Sequence, residues 1–192
     1  MSPASDDLCP LCRACADSST HALLECSRLK AMHIKRHDST VRKILRALQR
    51  RTYGGGSYYT ILDACKAAEL GALGAAAKRL PRWLLPALND DERAVLRPDI
   101  LRIIGLPAAP TEAELARALT SKDQYTVQVV EVGYCSDYSW RDKVQAKLEQ
   151  HAALVGKLRE EGWKVDEAPH VIVVGAKGAV FLSAQPPSEE AP

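Results

Sequence analysis

Four of the six cysteines and one histidine fall within eighteen residues, in the stretch CPLCRACADSSTHALLEC from Cys9 to Cys26. Thiolate and imidazole at short spacing are the donor set of structural Zn²⁺. The ligand pattern reads C-x2-C, eight residues, H, x4-C, which makes Cys9, Cys12, His21 and Cys26 the candidate zinc ligands. Pro10 stiffens the turn between the first two. A short helix can present His21 and Cys26 to one ion. Cys15 is a fifth candidate, and His21 is preferred because a thiolate at Cys15 would crowd the loop. Only Leu8, Leu11, Leu23 and Leu24 are large and apolar here, so a metal substitutes for a core that the segment cannot build. The competing reading is a loose loop with free thiols.

A second group lies in the other half of the chain. The segment 125–133, YTVQVVEVG, alternates as a strand, with Val127, Val129 and Glu131 on one face. A lone carboxylate on a buried face is costly unless paired or bound to a cation. The segment 94–104 reads as another strand, with Asp99 near its start and Pro98 fit only for a first or edge position. A helix over 138–161, closed by Gly162, carries an apolar stripe of Trp140, Val144, Leu148, Leu154, Val155 and Leu158. Lys147 and His151 project near the middle of that stripe and Lys143 sits on its margin. Asp99 and Glu131 can together hold Mg²⁺ through oxygen ligands, with a lysine beside them to polarise a phosphodiester. The alternative is a buried ion pair between Glu131 and Lys147 that ties helix to strand.

The elements that would position these groups follow from patterning. Residues 28–51 hold nine Lys or Arg and one acid, Asp38. Asp38 or Ser39 can cap a helix in which Val41, Ile44, Leu45 and Leu48 form one stripe. Arg36, His37, Arg42, Lys43, Arg46 and Arg50 then offer a surface for a phosphate backbone. Gly54–Ser57 predicts a hinge, and 58–79 is Ala- and Leu-rich and reads as helix, ended by Pro81, Pro86 and the acidic turn at 89–92. A connection over 107–120 holds a short helix whose Thr111 and Glu114 suit a capping box. Further strands are expected at 164–165, 170–174 and 179–182, and the Pro- and Glu-rich tail 185–192 is expected to be disordered.

Bulk properties exclude several classes. The chain has 192 residues and a net charge of +2. No apolar run is long enough for a membrane span. The start MSPASDDL lacks the apolar centre of a secretory signal, so disulfides are not expected and the chain is read as nuclear or cytoplasmic, nuclear being favoured. The closeness of Cys9 to Met1 suggests a piece of a longer reading frame.

Taken together, the knuckle, then Arg36-His37-Asp38, then Arg97-Pro98-Asp99, then Val129-Val130-Glu131-Val132, then Lys147-x3-His151 resemble the C-terminal region of site-specific non-LTR retrotransposon polyproteins. There a CCHC zinc knuckle precedes a restriction-enzyme-like endonuclease of the PD-(D/E)XK type. The resemblance implies an α/β (α+β) fold: a knuckle over 1–28, a helical segment over 29–92, a nuclease core with a mixed sheet flanked by helices over 93–183, and a tail over 184–192. It implies structural Zn²⁺ on the four ligands and catalytic Mg²⁺ on Asp99 and Glu131. Lys147 stands in for a lysine displaced from the strand, where Gly133 occupies the usual place; Lys143 is the alternative. The implied activity is nicking of target DNA to prime reverse transcription, with an RNA template and a reverse transcriptase domain as further partners and no membrane. Three features depart from the family pattern. The Asp99–Glu131 gap is long, which is read as a surface insertion over 106–124. His151 replaces a frequent tyrosine, and no polymerase motif is present. The other expectations are a zinc-dependent nucleic-acid-binding module with an inactive nuclease-like core, a remnant of a decayed element, and a small zinc-stabilised interaction domain.

Overall fold

The computed structural model describes residues 7–50, 58–166 and 168–183. The expected hinge and tail fall outside these ranges. Strand β3, Thr126–Cys135, is the centre of a six-stranded mixed sheet. Its alternating valines pack on both faces, as a central strand requires. On one edge it pairs antiparallel with β2, Ile100–Pro107, which pairs antiparallel with β1, Tyr58–Leu62. On the other edge it pairs parallel with the short β4, Lys164–Val165, and with β5, His170–Gly175. Strand β6, Val180–Leu182, pairs antiparallel with β5 and ends the sheet. The mixed α/β class expected from the sequence is thus present.

Helices cover both faces. Helix α1, Lys30–Arg50, buries Val41 and Leu45 against Leu62, Ile100, Val130 and Val132 on one face. Two short helices, α2 (Asp90–Val95) and α3 (Glu112–Thr120), lie between strands. The long helix α4, Trp140–Glu160, buries Leu154 and Leu158 with Val127, Val129, Leu101 and Ile103 on the other face. Gly162, at φ +88°, turns the chain after α4 where a side chain would be strained. The parallel β3–α4–β5 crossover places α4 directly over the row that carries Glu131.

Four expectations are corrected. Residues 58–79 are not a helix: Tyr58-Tyr59-Thr60-Ile61-Leu62 is aromatic and β-branched and forms β1, followed by 3-10 turns at Ala67–Glu69 and Gly71–Leu73. Gly74 sits at φ +62°, which ends any helical continuation there. The sheet therefore begins before the boundary expected at 93. The acidic turn starts a helix rather than ending one, because Asn89 and Glu92 form a capping box for α2. The strand expected over 94–104 begins only at Ile100, since Ala94 and Val95 belong to α2. Finally, 106–124 is not a mere surface insertion: Leu106 ends inside the core, and α3 buries Ala118 there behind the Thr111 capping box.

Candidate functional site

The amino-terminal segment folds around its cysteines. A backbone bridge between Leu8 and Ala16 closes the knuckle loop, and Arg13, at φ +54°, makes the tight reversal. A wide helical turn, His21–Glu25, brings His21 and Cys26 to the same side. The ligand atoms of Cys9, Cys12, His21 and Cys26 all lie within 4.8 Å of one another. Cys9 Sγ and Cys26 Sγ are 4.0 Å apart, and Cys12 Sγ is 3.2 Å from His21 Nε2. A disulfide needs about 2.05 Å, so the thiols are free. Sulfurs on one tetrahedral ion with Zn–S near 2.3 Å lie about 3.8 Å apart. The cluster can therefore bind a metal such as zinc. Cys15 is exposed and its thiol stays outside the cluster; its carbonyl accepts from Cys9 N at 2.8 Å and its backbone N–H faces the Cys12 thiol. His21 Nδ1 is buried without a hydrogen-bond partner, so Nε2 is the ring atom turned to the thiols.

This module docks on the first turns of α1. Ala22 O is 3.0 Å from His33 Nε2, and Leu23 O accepts from Arg36 Nη2 at 2.6 Å. The Arg36 guanidinium also lies 4.2 Å over the Tyr134 ring, whose hydroxyl meets Thr40 at 2.6 Å. These contacts explain why α1 starts at Lys30 rather than at the cap expected from Asp38 or Ser39.

The carboxylates meet where β2 begins. Ile100 pairs with Val130, so Asp99 stands beside Glu131 across the strand pair. Each acid binds the other strand's backbone. Val132 N donates to Asp99 Oδ2 at 2.8 Å, and Asp99 N donates to Glu131 Oε2 at 3.2 Å. Lys147 Nζ donates to Glu131 Oε1. His151 Nε2 is 3.0 Å from Glu131 Oε2, close enough for an ion pair but poorly aligned for a hydrogen bond. The Glu131 side chain is 3 % exposed. Burial pushes its carboxyl up, but the neighbouring His151 ring and the Lys147 ammonium outweigh this and hold it below the usual range. The buried Glu131–Lys147 pair, one of the two readings of this face, is thus present, and it is Lys147 that reaches Glu131. Lys143 lies along Gly133, with Cγ and Cε 3.4 Å from where a Cβ would stand.

His37, expected on a nucleic-acid surface, turns inward instead. Its Nε2 is 3.2 Å from Asp99 Oδ2 and 3.3 Å from Val132 O, and Nδ1 is 3.4 Å from Asp38 Oδ1. The bond to Asp99 raises its pKa to about 9 against the opposing effect of burial. Arg36 and Arg42 also turn inward: Arg42 Nε donates to Ala64 O at 3.1 Å, and Nη2 is 3.3 Å from Glu69. Lys43, Arg46 and Arg50 face solvent.

Two grooves flank His37. One, of about 290 Å³, runs past Arg36, Tyr134, Lys143 and Lys147. The other, of about 370 Å³, runs past Asp99, Arg42, Lys66, Lys78 and Arg97. Sequence reasoning did not anticipate Lys66 or Lys78 here, because the turns after β1 bring them to the groove; Arg97 comes with Asp99 in the Arg97-Pro98-Asp99 triplet and is held by Asp63. Nor could it find the Val132 carbonyl, which has no side-chain signal.

Comparison with protein-family models, curated proteins and solved structures finds no match. The residues themselves must therefore support any reading of function. Among the described residues, Cys9, Cys12, His21 and Cys26 are the only group of three or more His, Cys, Asp or Glu placed to hold a metal. No helix among them is long and apolar enough to cross a membrane.

Proposed function

We propose that the chain is a metal-dependent DNA endonuclease module carried on a zinc-stabilised nucleic-acid-binding segment, as its resemblance to non-LTR retrotransposon polyproteins implies. The observation that carries this is the convergence of Asp99, Glu131 and Lys147 at one strand pair, beside one groove with Arg36, Lys143 and Lys147 on its walls and another where Arg42, Lys66, Lys78 and Arg97 stand among Asp38, Asp63 and Asp99. The chemistry of the donor set suits Mg²⁺. Asp99 Oδ2 and Val132 O, both hard oxygens, converge on one nitrogen of His37, so a cationic group already sits between them. Glu131, expected as the second magnesium ligand, has both oxygens engaged by Lys147, His151 and Asp99 N, so Asp99 and Val132 O would hold the ion, which when bound would supply charge to the phosphate and acidify a water.

The remaining roles belong to the chain itself. Glu131 fixes the Asp99 backbone and anchors Lys147. Lys147 is 17 % exposed and borders the groove, so its ammonium is open to a phosphate while held in place. Preorganised charge of this kind stabilises the developing oxyanion charge in the transition state. His151 braces Glu131 from beneath. Lys43, Arg46 and Arg50 give α1 a solvent-facing basic side for duplex backbone. The product of this reading is a nick whose 3′ end primes reverse transcription, carried out in the nucleus on DNA with an RNA template.

One observation favours a second reading, a nucleic-acid-binding module with an inactive core: Lys147, His151 and Asp99 N already occupy both oxygens of Glu131. A supercoiled-plasmid assay with Mg²⁺ separates the two. Nicking by wild type and its loss in Asp99→Ala, with DNA binding retained, supports the endonuclease. Binding without nicking by wild type supports the inactive module.

A further inference from the structure

The His37 ring occupies a position that the proposed activity leaves unassigned. Its Nε2 stands between two oxygens from neighbouring strands, Asp99 Oδ2 at 3.2 Å and Val132 O at 3.3 Å. A divalent ion held by that pair would sit about 2.0–2.6 Å from each oxygen. The ring and the ion therefore claim the same space. The ring also borders both grooves, as does its helical neighbour Ile34. The side chain is 29 % exposed, and Asp38, already 3.4 Å from Nδ1 on the same helix, is a partner the ring can keep as Nε2 leaves Asp99.

We infer that His37 is a latch on the carboxylate site, an internal occupant that must swing off Asp99 before a divalent cation can bind. This rests on reading Asp99 as the cation ligand and adds how that site is controlled. In the latched state the Asp99 carboxylate is satisfied by imidazole and by Val132 N. In the released state the ring leaves Asp99 Oδ2 and Val132 O free to face an ion, and Lys143 and Lys147 of one groove stand nearer the ion-bearing Asp99 of the other. Cation and nucleic-acid strand thus favour the same ring position, and each should assist the other. A ligand binding a fractionally populated state loses apparent affinity by that fraction, so removing the latch must tighten cation binding.

The test uses the full, zinc-loaded chain and Mn²⁺ as the probe, with free Mn²⁺ counted by its paramagnetic resonance signal. His37→Ala removes the ring, and His37→Gln removes it while keeping a polar side chain, which guards against a folding failure in the first variant. Circular dichroism verifies that each variant is folded. Both are expected to bind Mn²⁺ more tightly than wild type, roughly tenfold or more, the scale of one charge-assisted hydrogen bond. Asp99→Asn is expected to lose that binding. Unchanged or weaker Mn²⁺ affinity in both His37 variants, with Asp99→Asn still defective, overturns the latch alone. Wild-type Mn²⁺ affinity in Asp99→Asn overturns the carboxylate site itself, and the latch with it.

Discussion

Lys147→Met deletes the ammonium that neutralises Glu131 while keeping most of the apolar stem that packs along α4. The Glu131 side chain is 3 % exposed and Lys147 17 %, so the pair is largely out of water. Breaking a buried pair by removing one partner costs about 3–5 kcal/mol, because the remaining charge stays desolvated. His151 still stands 3.0 Å from Glu131 Oε2, and Asp99 N still donates to that oxygen. Both reduce the loss, so the expected destabilisation is about 3 kcal/mol. The pH dependence should also weaken. In the wild type the Glu131 carboxyl is held low, so its contribution is present above the unfolded carboxylate pKa and is lost as pH falls through the folded value. Without Lys147 only His151 and Asp99 N oppose burial, so the carboxyl moves up from its wild-type position and the variant is expected to lose less stability than wild type as pH falls. Urea unfolding of both proteins from pH 4 to 8 in magnesium-free buffer measures the effect. A loss under about 1 kcal/mol, or a variant whose acid weakening is as steep as the wild type's, would refute the claim that Lys147 neutralises a buried Glu131.

Other outcomes follow from the same geometry. With His37 raised to about 9 by its bond to Asp99, its stabilising contribution is full below 6.5 and is lost as pH rises through about 9. For a ring 29 % exposed this amounts to about 2 kcal/mol; urea unfolding between pH 6.5 and 9.5 should show it in wild type and not in His37→Gln. Metal analysis should find one zinc per chain, absent from Cys9→Ser or Cys26→Ser and kept in Cys15→Ser. A strong chelator should remove the ion and lower far-UV helicity as the docking of Arg36 on Leu23 O is released; retained helicity at zero zinc would contradict this. Replacing Lys43, Arg46 and Arg50 together with Gln should weaken DNA binding and flatten its log–log salt dependence by about 0.9 for each phosphate no longer neutralised. An unchanged slope would take α1 out of the interface.

The sequence disclosed groups whose spacing alone forces them together. C-x2-C and the His21–Cys26 pair need only a turn each to converge, and they do. The alternation around Glu131 put that acid on the face of Val127 and Val129, and the α4 stripe put Lys147 and His151 opposite it. Element boundaries were less legible where tertiary context overrode propensity. Tyr58–Leu62 was read with the Ala-rich run behind it, yet the open edge of β2 made it a strand. The first turns of α1 have no stripe of their own and are held by Ala22 and Leu23 of the zinc segment. His37 was misplaced for a related reason. A helical charge run usually faces solvent, but the carboxylate that draws this ring inward lies far along the chain, before β2. Such a long-range pairing leaves no local signal.

The central claim is that Asp99 and the Val132 carbonyl share one divalent ion beside Lys147. Anomalous scattering from crystals of the zinc-loaded protein soaked in Mn²⁺ tests it most directly, with zinc at the cysteine cluster as an internal standard. A manganese peak is expected within bonding distance of Asp99 Oδ2 and Val132 O, with the His37 ring turned away. A clear zinc peak with no manganese there, and His37 still on Asp99, would contradict it.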